Sequence, residues 1–227
     1  MNKTLYESLK SARQKYSNLL DDSTITELSL LDPSKSFKYT EKMCELFYMG
    51  ISKKEISNII QEYDKYQHMM DNSDITKKKT YNQITADISA AKYASEHSIK
   101  NTKEEEKNRN LIFSKDNIYI YKINNFYDAY IKGKGTHWCI SVSEQWFMIH
   151  KYRNEDFLFI INKNLKDDSQ HSKICLTIKI NKGTCELTNK YNETYKTGSE
   201  KEIHCLNILG KPVVDFLFNY INKNYNN

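Results

Sequence analysis

The sequence predicts an α+β fold. A helical N-terminal part over residues 1–105 is followed by a mostly antiparallel sheet over residues 106–227, with an inserted helix and a closing C-terminal helix. Three observations predict this. The first half carries Ser/Thr-x-x-Glu pairs, each opening a stretch whose apolar residues recur at helical spacing. The second half carries short runs rich in β-branched and aromatic residues: IYIYKI, FLFII and ICLTIKI. Six glycines and two prolines in 227 residues exclude collagen-like and Pro/Gly low-complexity chains, while 12% aromatics supply a core and argue against wholesale disorder.

The helices follow in order. Thr4-x-x-Glu7 opens a segment with Leu5, Leu9, Ala12, Tyr16 and Leu19 on one face. Thr24-x-x-Glu27 opens a second helix, which Pro33 stops by pushing Asp32 into extended geometry. Phe37–Met49 carries Tyr39, Met43, Leu46 and Phe47 at near-helical spacing and ends at Gly50. Ser52-x-x-Glu55 caps a helix striped with Ile56, Ile59, Ile60, Tyr63 and Tyr66. Asp71–Asp74 is a polar break. Thr80 to about His97 is a further helix, and NTKEEEKNRN (Asn101–Asn110) is a solvated charge run.

About four strands are expected beyond that run. Ile118–Ile123 and Phe157–Ile161 are two. Ile174–Ile180 alternates, with Cys175 opposite the Ile174 side, and Asn181-Lys182-Gly183 turns it back into Thr184–Thr188 as a hairpin. Ser141-x-x-Glu144 starts the inserted helix. Gly210-Lys211-Pro212 precedes the closing helix, striped by Val214, Leu217, Phe218 and Ile221. One face of the sheet would be covered.

Bulk numbers narrow the functional classes. No window approaches the ~18 apolar residues of a membrane span, so no membrane association is expected. The N-terminus lacks the apolar segment of a secretory signal, and five cysteines imply no disulfide framework. A reducing, intracellular location is therefore expected. A formal charge of +5 is compatible with nucleic acid without demanding it. Because 31 of 34 basic residues are Lys and Asn occurs 23 times, the Lys count reflects A+T-rich coding.

One loop carries the candidate chemistry: Lys132–Ser143, KGKGTHWCISVS. Gly133 and Gly135 allow backbone approaches that a side chain forbids. Thr136, His137, Trp138 and Cys139 follow just before a capped helix. A thiolate nucleophile needs an electropositive neighbourhood and a base. Cys139 is the candidate nucleophile, and His137, His150, His171 and His204 are the candidate bases. The blander alternative takes precedence at this stage: cysteine is among the most buried residue types, and Trp138 fits a core plug at a tight turn. The GxG is neither a dinucleotide fingerprint nor a P-loop. His171-x3-Cys175 and His204-Cys205 lack metal-ligand spacing, so no metal and no cofactor is expected. Lys132, Lys134, Lys151 and Arg153 lie near Tyr130, Trp138, Trp146 and Tyr152, a mixture suited to phosphate neutralisation and base stacking. His204 with Glu202 would share a strand face, the arrangement a nuclease's acid–base pair needs. Asn189–Glu193 reads as a polar turn.

Several segments together support a resemblance. Asp32-Pro33-Ser34, Lys38–Met43, Glu55–Tyr66, Asp74-Ile75 and Lys79-Thr80-Tyr81 resemble consecutive blocks of one pattern. Lys115-Asp116-Asn117 into IYIYKI, the GKGTHWC block (Gly133–Cys139), Phe157–Lys163 and Asn192-Glu193 complete it over about residues 32–195. The pattern is similar to a group of uncharacterised proteins of tailed phages and large DNA viruses that share a G-K-G-T-x-W-C block. His137 replaces the usual Lys there, and Tyr127-Asp128-Ala129 departs from a small-polar-Cys stretch. The resemblance implies a viral or mobile-element origin and carries no activity. The expected function is therefore an accessory or virion-associated protein that binds protein or nucleic acid through Lys132, Gly133, Lys134, Gly135, Thr136, Trp138 and Arg153. The alternative is an enzyme, a hydrolase or transferase or a nuclease, using Cys139, His137 or His204 at this loop.

Overall fold

The computed structural model describes residues 3–34, 36–70, 74–77, 80–96 and 109–225. The chain forms two compact units, Met1–His97 and Ser98–Asn227. The expected boundary at residue 105, most of the NTKEEEKNRN run, most of the Asp71–Asp74 break and the Thr4 side chain lie outside the described residues.

The first unit holds α1 (Lys3–Tyr16), α2 (Asp22–Leu30), α3 (Thr40–Tyr48), α4 (Lys53–Tyr66) and α5 (Tyr81–Glu96). Their apolar stripes converge on a core that includes Leu9, Ala12, Ile25, Leu28, Met43, Ile56, Ile60, Tyr63 and Ile84. The Ser52 cap forms as the pattern predicts, accepting from the Glu55 N–H at 3.3 Å. Thr80 and Gln83 cap α5 reciprocally. Two expectations shift. The α2 cap is Asp21, which accepts from the Thr24 N–H at 2.8 Å; Thr24 lies inside the helix and its hydroxyl also donates to Asp21. Helix α3 starts at Thr40 because Phe37 sits at φ +52° and the buried Asp32 carboxylate instead gathers the Ser34 and Tyr39 N–H groups. Leu19 is half exposed rather than part of the core stripe.

The second unit is a five-stranded antiparallel sheet in the order β1-β2-β3-β4-β5: β1 (Leu111–Lys115), β2 (Ile118–Ile123), β3 (Glu155–Asn162), β4 (Lys173–Lys179) and β5 (Thr184–Asn189). Gly183, at φ +60°, ends the short helical turn that joins β4 to β5. Between β2 and β3 the chain inserts α6 (Phe126–Lys132), α7 (Cys139–Val142) and α8 (Glu144–Tyr152). After β5 come α9 (Glu200–Leu209) and α10 (Lys211–Tyr225). The architecture is α+β.

Strand alternation sends two residue sets to opposite faces. Ile118, Ile120, Leu158, Ile160, Ile174, Leu176, Ile178 and Leu187 form one face, against Cys205, Leu209, Val213 and Leu217 of α9 and α10. The other face packs Phe157 and Phe159 against Phe147 of α8 and Trp138. The sheet is thus covered on both faces, not one, because the insertion brings aromatic residues of its own. Of the expected α10 stripe Leu217 is buried and Ile221 packs against the same cluster, but Val213 takes the place of Val214 and Phe218 is 67% exposed. The segment around Glu202–His204 is helix α9, not strand, so the shared-face argument for those two residues falls: residues two apart on a helix diverge. Likewise the α8 cap is Ser143, not Ser141, which is buried within α7.

Candidate active site

Residues 132–139 turn the chain from α6 into α7, and each glycine has its own cause. A Cβ on Gly133 would stand 2.0 Å from the Ser141 Oγ and 2.6 Å from the Ala129 carbonyl, so close approach requires glycine. Gly135 meets nothing but holds φ +78°. The Thr136 hydroxyl donates to the Gly133 carbonyl at 2.7 Å. From β4, the Lys173 ammonium donates to the Lys132 and Lys134 carbonyls, and burial lowers its pKa.

Trp138 is the core plug. Its ring is buried 4.5 Å from that of Phe159, and its indole N–H donates to the Asn189 carbonyl at 2.6 Å. Asn189 is itself fully buried and organises the turn behind β5: its Oδ1 accepts the Tyr191 and Glu193 N–H groups, each at 3.0 Å. The His137 N–H donates to the Lys190 carbonyl at 2.8 Å. The loop is therefore laced to the end of the sheet.

Cys139, one residue on, does not join that core. It lines a cleft of about 610 Å³, open solvent at the mouth included. One wall is Trp138, Cys139, Ile140 and His150 of the insertion; the floor is β3, β4 and β5. Register fixes the floor: Glu155 pairs with Lys179, Phe157 with Thr177 and Glu186 with Thr177, and Cys175 with Thr188. All of these face the insertion.

His150 stands in the last turn of α8. Asn154, at φ +60°, reverses the chain into β3 and brings Glu155 back beneath the imidazole. His150 Nδ1 and Glu155 Oε2 lie 2.6 Å apart, and His150 Nε2 lies 3.9 Å from the Cys139 Sγ. With the Nδ1 proton donated to the carboxylate, Nε2 is left to accept from the thiol. The His150 pKa is raised, first by the hydrogen bond to Cys139 and then by the hydrogen bond and charge of Glu155; burial opposes both. Thiol, imidazole and carboxylate thus stand in line inside a water-accessible cleft. Elsewhere burial suppresses thiol ionisation, pushing Cys44 up to about 11 and Cys175 and Cys205 to about 12.

No family model matches this chain, and neither does any curated protein or solved structure compared with it.

The sequence-expected residues divide. Cys139, Trp138 and Arg153 line the cleft. His137 is exposed, with its ring 5.5 Å from that of Tyr191. His204 is exposed on α9, whose buried side packs on the opposite sheet face, with its ring 5.5 Å from that of His171. The imidazole beside the thiol is therefore that of His150, not of His137 or His204. Lys132 is largely buried, its ammonium 4.1 Å from the Tyr121 ring centroid, and Lys134 lies 5.5 Å from that of Tyr130. The buried Trp138 indole is closed to base stacking. Sequence reasoning missed Glu155, Thr177, Lys179, Glu186, Thr188, Asn192 and Thr194. The usable signal for Glu155 was a helix-ending Arg-Asn pair before an acidic residue that opens an apolar strand. Among the described residues no group of three or more His, Cys, Asp and Glu could hold a metal, and no helix is long and apolar enough to cross a membrane.

Proposed function

We propose that the protein is a cysteine-dependent acyl-transfer enzyme, a hydrolase or transferase acting at a carbonyl carbon. The observation that carries this reading is His150 held between the Cys139 thiol and the Glu155 carboxylate in an accessible cleft. A thiol, a base within reach and an acid orienting that base are the parts nucleophilic acyl transfer uses. The separation of 3.9 Å is loose, as such contacts are before substrate binds.

The chemistry runs in two halves. The Cys139 sulfur adds to the substrate carbonyl carbon as its proton passes to His150 Nε2. The tetrahedral adduct collapses, the C–N, C–O or C–S bond to the leaving group breaks, and that group departs with the proton from His150. Water or another nucleophile then gives its proton to His150 and attacks the thioester, which releases the acyl group and returns the proton to sulfur. Glu155 accepts the Nδ1 hydrogen throughout and stabilises the imidazolium. A binding-only role gives no reason for this alignment, and a nuclease at His204 has no support from a helix on which Glu202 and His204 diverge.

Alkylation of the folded protein with iodoacetamide, read by peptide mass spectrometry, tests the reading. Cys139 is expected to react well ahead of Cys44, Cys175 and Cys205, and His150→Asn to slow it by at least about tenfold; loss of a positioned base costs roughly 10²–10⁴ in a catalysed step. p-Nitrophenyl acetate is expected to leave an acetyl adduct on Cys139 that is absent from Cys139→Ala. Cys139 reacting no faster than the core thiols, or indifferent to His150→Asn, overturns the proposal.

A further inference from the structure

The charges lining the cleft do not all cancel locally. Glu155 is engaged by His150. Lys179 is paired with Glu186 at 2.5 Å. Arg153 lines the same cleft just past the end of α8, and its guanidinium has no hydrogen-bond or ion-pair partner among the described residues. The floor beside it is hydroxylic: Thr177, Thr188 and Thr194 line it, and the last two share a hydrogen bond of 3.0 Å. Opposite the wall of Trp138 and Ile140, such a floor offers hydroxyl groups to a polar acyl chain.

We infer that the cleft selects polar acyl substrates bearing a carboxylate, which Arg153 receives. This rests on Cys139 being the nucleophile and adds the class of acyl group it takes. One planar guanidinium matches one carboxylate through paired hydrogen bonds. A dianionic phosphate fits less well, because two glutamates line the same cleft and, among the described residues that line it, Arg153 is the one cation without a charged partner. Arg153 binds and orients the substrate; it takes no part in bond making.

Two thiol reagents that share a two-carbon arm test this without knowledge of the natural substrate: 2-carboxyethyl methanethiosulfonate, which adds a carboxylate to that arm and is anionic, and ethyl methanethiosulfonate, which is neutral. In each, the thiolate displaces methanesulfinate and forms a mixed disulfide. The anionic-to-neutral rate ratio at Cys139 is expected to exceed that of the uncharged thiol N-acetylcysteine amide by about fivefold, the scale of one accessible ion pair. Arg153→Gln is expected to bring the ratio down to the N-acetylcysteine amide value, whereas Lys211→Gln, on α10, leaves it as in the wild type. A ratio equal to that of N-acetylcysteine amide, or one unmoved by Arg153→Gln, overturns the inference while fast, His150-dependent reaction with the neutral reagent still upholds the nucleophile. Slow reaction with both reagents removes the nucleophile itself. Glutarate should protect Cys139 at lower concentration than inorganic phosphate; the reverse order overturns the carboxylate assignment.

Discussion

The two faces of the sheet are written by alternate residues of the same strands, yet they do different work. On one face Leu158, Ile160, Ile174, Leu176 and Leu187 meet α9 and α10 in an apolar cluster, with Asp156 at its edge accepting from the Tyr225 hydroxyl of α10. On the other, Phe157 and Phe159 pack against the insertion, but Glu155, Thr177, Lys179, Glu186 and Thr188 remain around a cleft. The difference lies in how much of each face is filled. A face closed by apolar contact is stabilised by burial alone. A face left partly open keeps polar groups wet enough to react and close enough to an apolar wall to be held in place. On the open face itself, packed core and cleft meet within a single peptide unit, Trp138–Cys139.

The sharpest way to break this contrast is at that boundary. Trp138→Ala should cost roughly 3–5 kcal/mol in urea unfolding, as for other large buried aromatics. Near-wild-type stability would place the indole outside the core. Next, Gly133→Ala should cost about 1–3 kcal/mol because its Cβ overlaps the Ser141 side chain, and Gly135→Ala about 1 kcal/mol for its backbone angle alone. Equal costs would show that crowding at Gly133 relaxes freely. The smallest effect is a pH signature on the open face. His150 has a raised pKa in the folded protein, so the stability it contributes is fully present below its ordinary value of 6.5 and lost as pH rises through the folded value. Glu155→Gln removes one source of that rise. The melting temperature of this variant should fall short of wild type by more at about pH 6 than at about pH 9. A gap independent of pH would mean that Glu155 holds no charged imidazole.

What could be read in advance follows the same division. Local rules revealed the helices of the first unit, because Ser52 and Thr80 cap where their side chains can reach. They misplaced the α2 start because Asp21, three residues earlier, accepts the Thr24 N–H and hydroxyl, which puts Thr24 inside the helix and leaves its side chain donating rather than capping. Strands β2, β3 and β4 were legible from their β-branched runs. β1 was not, since Ser114 and Lys115 are exposed and only partner pairing defines it. In the α10 stripe Leu217 and Ile221 were legible, while Val214 was read in place of Val213 because the two offer the same chemistry on adjacent faces. In the site, Cys139 and its glycine loop were visible as an unusual run, and His150 was one base among four candidates. Glu155 and the threonine floor were invisible because strand register, not neighbourhood in the chain, brings them together.

Asn189 has one further consequence. Its carbonyl holds the Trp138 indole while its side chain folds the turn that carries Asn192 to the cleft. Nucleophile and opposite jaw therefore hang from a single buried amide-bearing residue, so the gap between them is fixed before any guest arrives. A catalyst built this way forgoes a closing motion on that side, and its reactivity should survive heating until the sheet corner melts, then vanish in the same transition.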